Sequence, residues 1–252
     1  MKYLLELAYQ GTHYHGWQRQ PGFISVQEVL EEALVRMLGQ KVNCIGCGRT
    51  DAGVHASQFF GHIVVVRPFD FDPVFRLNKM LPEDISISSC RAVSRGFHAQ
   101  HDATERSYTY RLHTRKNALL SALSTYYPAE GLDIDQLRAA VGLLTQYQDY
   151  RAFCKQPDLY KSTICQLRRA TLEVSKDQEQ LKIILSADRF LRGMVRLIVG
   201  NALEVGYGRL PLSTFEQSLA EARPLPYFKQ AYPQGLYLSG VVYPNIEPSI
   251  SA

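Results

Sequence analysis

An α+β fold is what this 252-residue sequence predicts. Period-two stretches such as Lys2 to Tyr9 stand beside helical stretches such as Val29 to Leu38, and the two kinds follow one another without the regular alternation of a parallel α/β chain. A break rich in Gly, His and polar residues, Arg95 to Arg106, separates two strand-bearing halves, residues 1–102 and 103–252. With 46% hydrophobic residues, each half can hold a core of its own.

Taken in order, Lys2 to Tyr9 places Tyr3, Leu5, Leu7 and Tyr9 on one face and predicts a strand. Gln10 to Gly22 is a polar and aromatic loop that holds the single tryptophan, Trp17. Rings interleaved with Arg and Gln suit RNA, since rings stack on bases while a cation meets phosphate; Trp17 is better read as a buried anchor and Arg19 as the RNA contact. Ser25-Val26-Gln27-Glu28 forms a capping box, after which Leu30, Ala33, Leu34, Met37 and Leu38 mark a helix that Gly39 stops. Lys41 to Ile45 predicts a short strand leading into Gly46 to Ala56, GCGRTDAGVHA. Three glycines, Gly46, Gly48 and Gly53, let this segment turn sharply around Arg49, Thr50 and Asp51. Alone, such a loop reads either as a ligand-facing turn or as a tight turn whose charges pair with neighbours. Phe59 to Val66 is an apolar run suited to a central strand; Asp72 and Pro73 open a helix to Met80, and Ile85 to Ala92 supplies a further strand.

In the second half, Ser107 to Leu112 alternates as a strand with Tyr108 and Tyr110 on one face. Asp133 to Leu144 predicts a helix, and Gln166 to Ser175 with Gln180 to Ala187 a hairpin. Asp188 is placed to cap a helix through Leu203, on which Arg189, Arg192 and Arg196 share one stripe. Like charges at that spacing repel by about a few tenths of a kcal/mol per pair, so a nearby anion, Asp51 or an RNA phosphate, is the expected partner. Pro211 to Glu221 closes the helices and Gly235 to Tyr243 the strands.

The bulk numbers narrow the classes. A net charge of +4 permits contact with nucleic acid without requiring it. Five cysteines with no leading signal segment point to free thiols in the cytoplasm. Cys44-x-x-Cys47 lacks a second pair, and His98, His101 and Asp102 read as hydrogen-bonding groups, so no metal is expected. No apolar run approaches the ~20 residues of a membrane span.

Tyr14-His15-Gly16-Trp17-Gln18-Arg19-Gln20, Ser25-Val26-Gln27, Gly46 to Ala56, Phe97-His98-Ala99, Tyr108-Thr109-Tyr110, Met194-Val195-Arg196, Glu204-Val205-Gly206 and Gly235 to Leu238 together resemble, in order, the motifs of the TruA family of tRNA pseudouridine synthases. The resemblance implies a pseudouridine synthase fold of two similar mixed α/β subdomains, with adjoining antiparallel sheets around a basic cleft. It also implies isomerisation of uridine to pseudouridine without a cofactor, on the 3′ side of the anticodon stem-loop of tRNA, by a homodimer. Asp51 is then the catalytic carboxylate, acting at C1′, the uracil ring or the 2′ proton. Arg196 pairs with it, Tyr108 stacks on the base, and Arg49, Arg19 and His55 are further substrate contacts. Gln100 stands where the family usually has arginine, and around Ser162 to Cys165 the usual Ser/Thr-Arg pair is not found. Both departures bear on which RNA is used, and a relative with a different RNA target stays open. A non-catalytic RNA-binding relative would have lost the acid, and a sugar-cleaving hydrolase would need a second carboxylate.

Overall fold

The structure, a computed structural model, describes residues 1–225, 229–244 and 246. Its contacts divide the chain into two compact units, Met1–Thr104 with the chain from Tyr237 onward, and Glu105–Leu236. The break at Arg95 to Arg106 placed everything after residue 102 in one half; by its contacts the chain from Tyr237 groups with the first unit instead.

In the first unit β1 (Lys2–Tyr9) lies between β3 (His55–Val64) and β4 (Ile85–Val93), antiparallel to both. Leu4, Leu5 and Leu7 are all buried, so β1 is covered on both faces and not only on the face its alternation marked. Glu6, buried among them, accepts from Gln58 (2.8 Å) and Ser89 (3.2 Å) and lies 3.6 Å from Arg91. β9 (Leu236–Val242) runs parallel to β3, with Tyr237 opposite His55 and Leu238 opposite Ala56. Such long-range pairing leaves no trace in local periodicity. β3 begins four residues before the apolar run because the polar segment His55 to Gln58 is engaged by these neighbours; Gln58 Oε1 accepts from the Val241 amide (3.0 Å).

Helix α1 (Val26–Leu38) starts where Ser25 Oγ accepts from the Glu28 amide (3.2 Å) and ends at Gly39, φ +63°. Glu28 turns its carboxylate to Arg19 (3.2 Å) and leaves only the serine half of the capping box in place. The strand expected over Lys41 to Ile45 is reduced to β2 (Ile45–Gly46). Side chains of α1 satisfy the preceding backbone instead: Glu31 accepts from the Cys44 amide (2.9 Å) and Gln27 donates to its carbonyl (3.0 Å). α2 (Pro73–Met80) is capped by Asp72, whose carboxylate accepts from the Val74 (2.9 Å) and Phe75 (3.1 Å) amides. Asp72→Ala is therefore expected to cost about 1 kcal/mol and to lower the melting temperature by about 2–4 °C in a thermal scan; an unchanged scan contradicts the cap.

In the second unit β5 (Glu105–His113), β8 (Gln180–Ala187) and β7 (Leu167–Val174) form an antiparallel run, with β6 (Thr125–Tyr126) parallel to β5. The parallel pairs β3/β9 and β5/β6 correct the expectation of purely antiparallel sheets. α3 (Ile134–Leu143), capped by Asp133, packs on α4 (Met194–Gly206), and α5 (Leu212–Ala220) packs on both. Gly206 lets α4 approach α3 closely: a Cβ there would stand 3.0 Å from Leu132 and 3.1 Å from Leu137.

α4 starts later than its sequence suggests. Asp188 gives its carboxylate to the Gln166 (2.8 Å) and Arg189 (2.7 Å) amides, and the N-cap is Gly193 at φ +73°. Arg189 and Arg192 thus precede the helix, and the three-arginine stripe does not form; Arg196 alone of the three is helical. His98, His101 and Asp102 are mutually engaged, with His98 Nδ1 accepting from the Gln100 and His101 amides and Asp102 from the His98 amide. No helix among the described residues is long and apolar enough to cross a membrane.

Candidate active site

Asp51 sits between β2 and β3, and the loop carrying it is fastened by residues of the Gln10 to Trp17 segment. Trp17 is buried, 1% exposed, and stacks on Phe59 with ring centroids 4.1 Å apart. Gly46 makes room for that stack, since a Cβ there would lie 2.6 Å from Trp17 and 2.7 Å from Phe59. The tryptophan is thus the anchor the sequence suggested. Its amide donates to the Thr50 carbonyl (3.3 Å), and the Thr50 hydroxyl is bonded to the Tyr9 hydroxyl (2.8 Å).

Gly16, at φ +83°, presses directly on the Thr50–Asp51 peptide: a Cβ would be 2.2 Å from the Thr50 oxygen and 3.0 Å from the Asp51 carbonyl carbon. On the far side Gly53 takes φ +76° and donates to the Tyr14 carbonyl (3.1 Å), while the Val54 amide donates to the Asp51 carbonyl (3.1 Å). Tyr14 is held in turn by donating to Asp84 Oδ1 (2.6 Å), and burial together with that carboxylate pushes its hydroxyl's pKa well up. The Thr50 and Asp51 carbonyls and the Gly53 amide are thereby held, and half-buried Asp51 is presented on a braced turn. Gly48 differs from its neighbours, with no positive φ and nothing within 4 Å of a notional Cβ.

Of the other predicted contacts in the first unit, Arg49 is exposed beside Asp51. Arg19 is half exposed and shared between Glu28 (3.2 Å) and Glu31 (3.5 Å). His55 is 1% exposed, its Nδ1 accepts from the Gly11 amide (3.0 Å), and its ring stacks on Tyr237 at 4.6 Å, contacts that fasten the end of the loop.

The second unit carries Tyr108 and Arg196 on different elements. Tyr108, half-buried on β5, meets Phe190 edge-on at 5.0 Å. Tyr110, two residues on, is core: fully buried, it donates to Thr125 Oγ1 (3.0 Å) and is 3.0 Å from the Tyr232 carbonyl, and burial raises its pKa strongly. Arg196, in the first turn of α4, donates from Nε to the Ala231 carbonyl (2.8 Å), while the Ala231 amide donates to the Arg196 carbonyl (2.8 Å). Gly200 admits this strap, a Cβ there falling 2.4 Å from the Lys229 oxygen, and Asn201 Nδ2 donates to the same oxygen (3.2 Å). The guanidinium is held from a segment more than thirty residues away in sequence, a fixing that no local pattern signals.

The first unit thus offers a half-buried carboxylate on a braced turn, and the second offers an arginine clamped through Nε and a tyrosine ring on a strand. Residues 143–244 match the family described as tRNA pseudouridine synthase. The chain is 39% identical over 246 residues to tRNA pseudouridine synthase A of Bacteroides fragilis, covering 97% of each. It is 38% identical to the protein of that name from Bacteroides thetaiotaomicron, over 97% of this chain and 91% of the other, and 37% identical to that of Porphyromonas gingivalis, over 97% and 98%.

Proposed function

This chain belongs to the tRNA pseudouridine synthase family and is an isomerase, and on that premise we propose that it converts uridine to pseudouridine on the 3′ side of the anticodon stem-loop of tRNA, with Asp51 as its catalytic carboxylate. The bond between C1′ and N1 breaks, the uracil turns, a bond forms from C1′ to C5, the C5 proton leaves and N1 takes one up; nothing is oxidised or reduced, so the reaction asks for no cofactor. Asp51 acts at the ribose or the uracil, neutralised by the Arg196 guanidinium. The Tyr108 ring stacks on the uracil and assists removal of the C5 proton. Arg49 contacts phosphate beside the target. Arg19 does so in exchange with Glu28 and Glu31, 3.2 Å and 3.5 Å away. Lifting the uridine from its stack costs about a few kcal/mol, which these contacts offset.

The observation that carries this reading is the bracing of the Thr50–Asp51 peptide by Gly16, Trp17 and Tyr9, the preorganisation a reacting carboxylate needs. We further place the enzyme in the cytoplasm as a homodimer, its two similar halves forming a basic cleft. Incubating the protein with an unmodified tRNA transcript and mapping the modified uridines tests the proposal. Pseudouridine in the anticodon arm is the expected product. Release of free uracil would mark a hydrolase, bound but unchanged RNA a non-catalytic relative, and pseudouridine elsewhere a different target; each overturns the assignment.

A further inference from the structure

We propose that Lys155, Arg189 and Arg192 form a cationic strip on the second unit that grips the sugar-phosphate backbone of the RNA strand flanking the target uridine. The inference rests on the reading above for the identity of its ligand, and on the geometry of the second unit for its place. The strip begins at Tyr108: Phe190 meets that ring edge-on at 5.0 Å, and Arg189, its neighbour, lies 5.8 Å from the Tyr160 ring. The Tyr160 hydroxyl accepts from the Arg192 amide (3.1 Å), and the Lys155 amide donates to the Arg192 carbonyl (3.1 Å). Lys155 methylenes lie 3.0–3.1 Å from where a Cβ on Gly193 would stand. Cations and rings therefore follow one another outward from Tyr108.

Two features set this strip apart from an ordinary solvated face. First, the Arg192 main chain joins the segments, its amide donating to the Tyr160 hydroxyl and its carbonyl accepting from the Lys155 amide, so neither the Lys155 nor the Arg189 charged head is needed to hold them together. Secondly, among the described residues none of the three cations has a carboxylate at ion-pair distance: Arg192 meets only the neutral Gln156 Oε1, and the one acid on this loop in an ion pair, Asp158, is taken by Arg151. Cations of one sign left unmatched raise a local potential that an anion relieves. Their interleaving with Tyr160, Phe190 and Tyr108 fits a strand that offers both phosphates and ring faces.

The test is equilibrium binding of unmodified tRNA transcript across a salt series, comparing wild type, the triple variant Lys155→Ala/Arg189→Ala/Arg192→Ala, and Arg115→Ala as a control. Arg115 carries the same charge on an exposed site paired with Glu179. Each phosphate contact contributes about 0.7–0.9 to the slope of log K against log salt, so the triple variant is expected to bind shallower by about 2–3 in slope and on the order of 10- to 100-fold more weakly at low salt. A triple variant whose slope equals that of wild type or of Arg115→Ala overturns the strip. Should the triple variant melt well below wild type, the three single variants decide, each expected to lose about 0.7–0.9 in slope. Because the readout is binding, a wild type that makes pseudouridine while the triple variant keeps its slope sinks the strip alone, whereas a wild type that makes none sinks the functional reading.

Discussion

Asp51→Asn is expected to lower pseudouridine formation by at least about 10³-fold, within the range a single acid–base group contributes and with the loss of nucleophilic character added to it, while tRNA affinity stays within a few-fold of wild type. The substitution removes a charge and almost no volume. Main-chain bonds that hold the turn persist in the variant, since Val54 donates to the Asp51 carbonyl and Trp17 to that of Thr50. A loss of turnover therefore reports chemistry and not collapse of the loop. Single-turnover formation at saturating tRNA, with binding measured alongside, checks both halves. Retained turnover removes Asp51 from the mechanism, and lost binding with lost turnover makes it a structural residue.

How far the site was legible depends on the range over which each part is determined. α1, α2 and α3 are written in the sequence because side chains adjacent to them in the chain cap them: Ser25, Asp72 and Asp133 each accept from amides two or three residues on. Asp188 looks the same on paper. Its carboxylate is drawn instead to the Gln166 amide, 22 residues back, so α4 waits for Gly193. The Asp51 loop was conspicuous from its motif, yet which of its glycines matter was not. That depends on the Trp17–Phe59 stack for which Gly46 leaves room and on the Tyr14 carbonyl reaching Gly53, contacts between segments far apart in the chain. The bond of His55 to Gly11 and its stack on Tyr237 were hidden for the same reason. β9 shows the limit most plainly: its own pattern announces a strand, and nothing in it names β3 as the partner.

Gly16→Ala follows from that long-range bracing and is expected to cost turnover out of proportion to its size. At φ +83° an L side chain costs about 1–2 kcal/mol, and the added methyl would stand 2.2 Å from the Thr50 oxygen, a contact that only backbone movement can relieve. Gly16 is itself held, its carbonyl accepting from the Val26 amide at the start of α1 (3.2 Å), so the displacement falls largely on the Thr50–Asp51 peptide. A shift of about 1 Å in a reacting group costs on the order of 10²-fold in rate. The contrast is Gly48→Ala in the Asp51 loop itself, where φ is unstrained and no atom lies within 4 Å; there the change in stability should stay within about 0.5 kcal/mol. Turnover at saturating tRNA and thermal melting of both variants read the difference. Equal effects from the two substitutions would mean that these glycines act through loop flexibility; a large loss at Gly16 alone means that the Asp51 carboxylate is aimed by the backbone pressed against it.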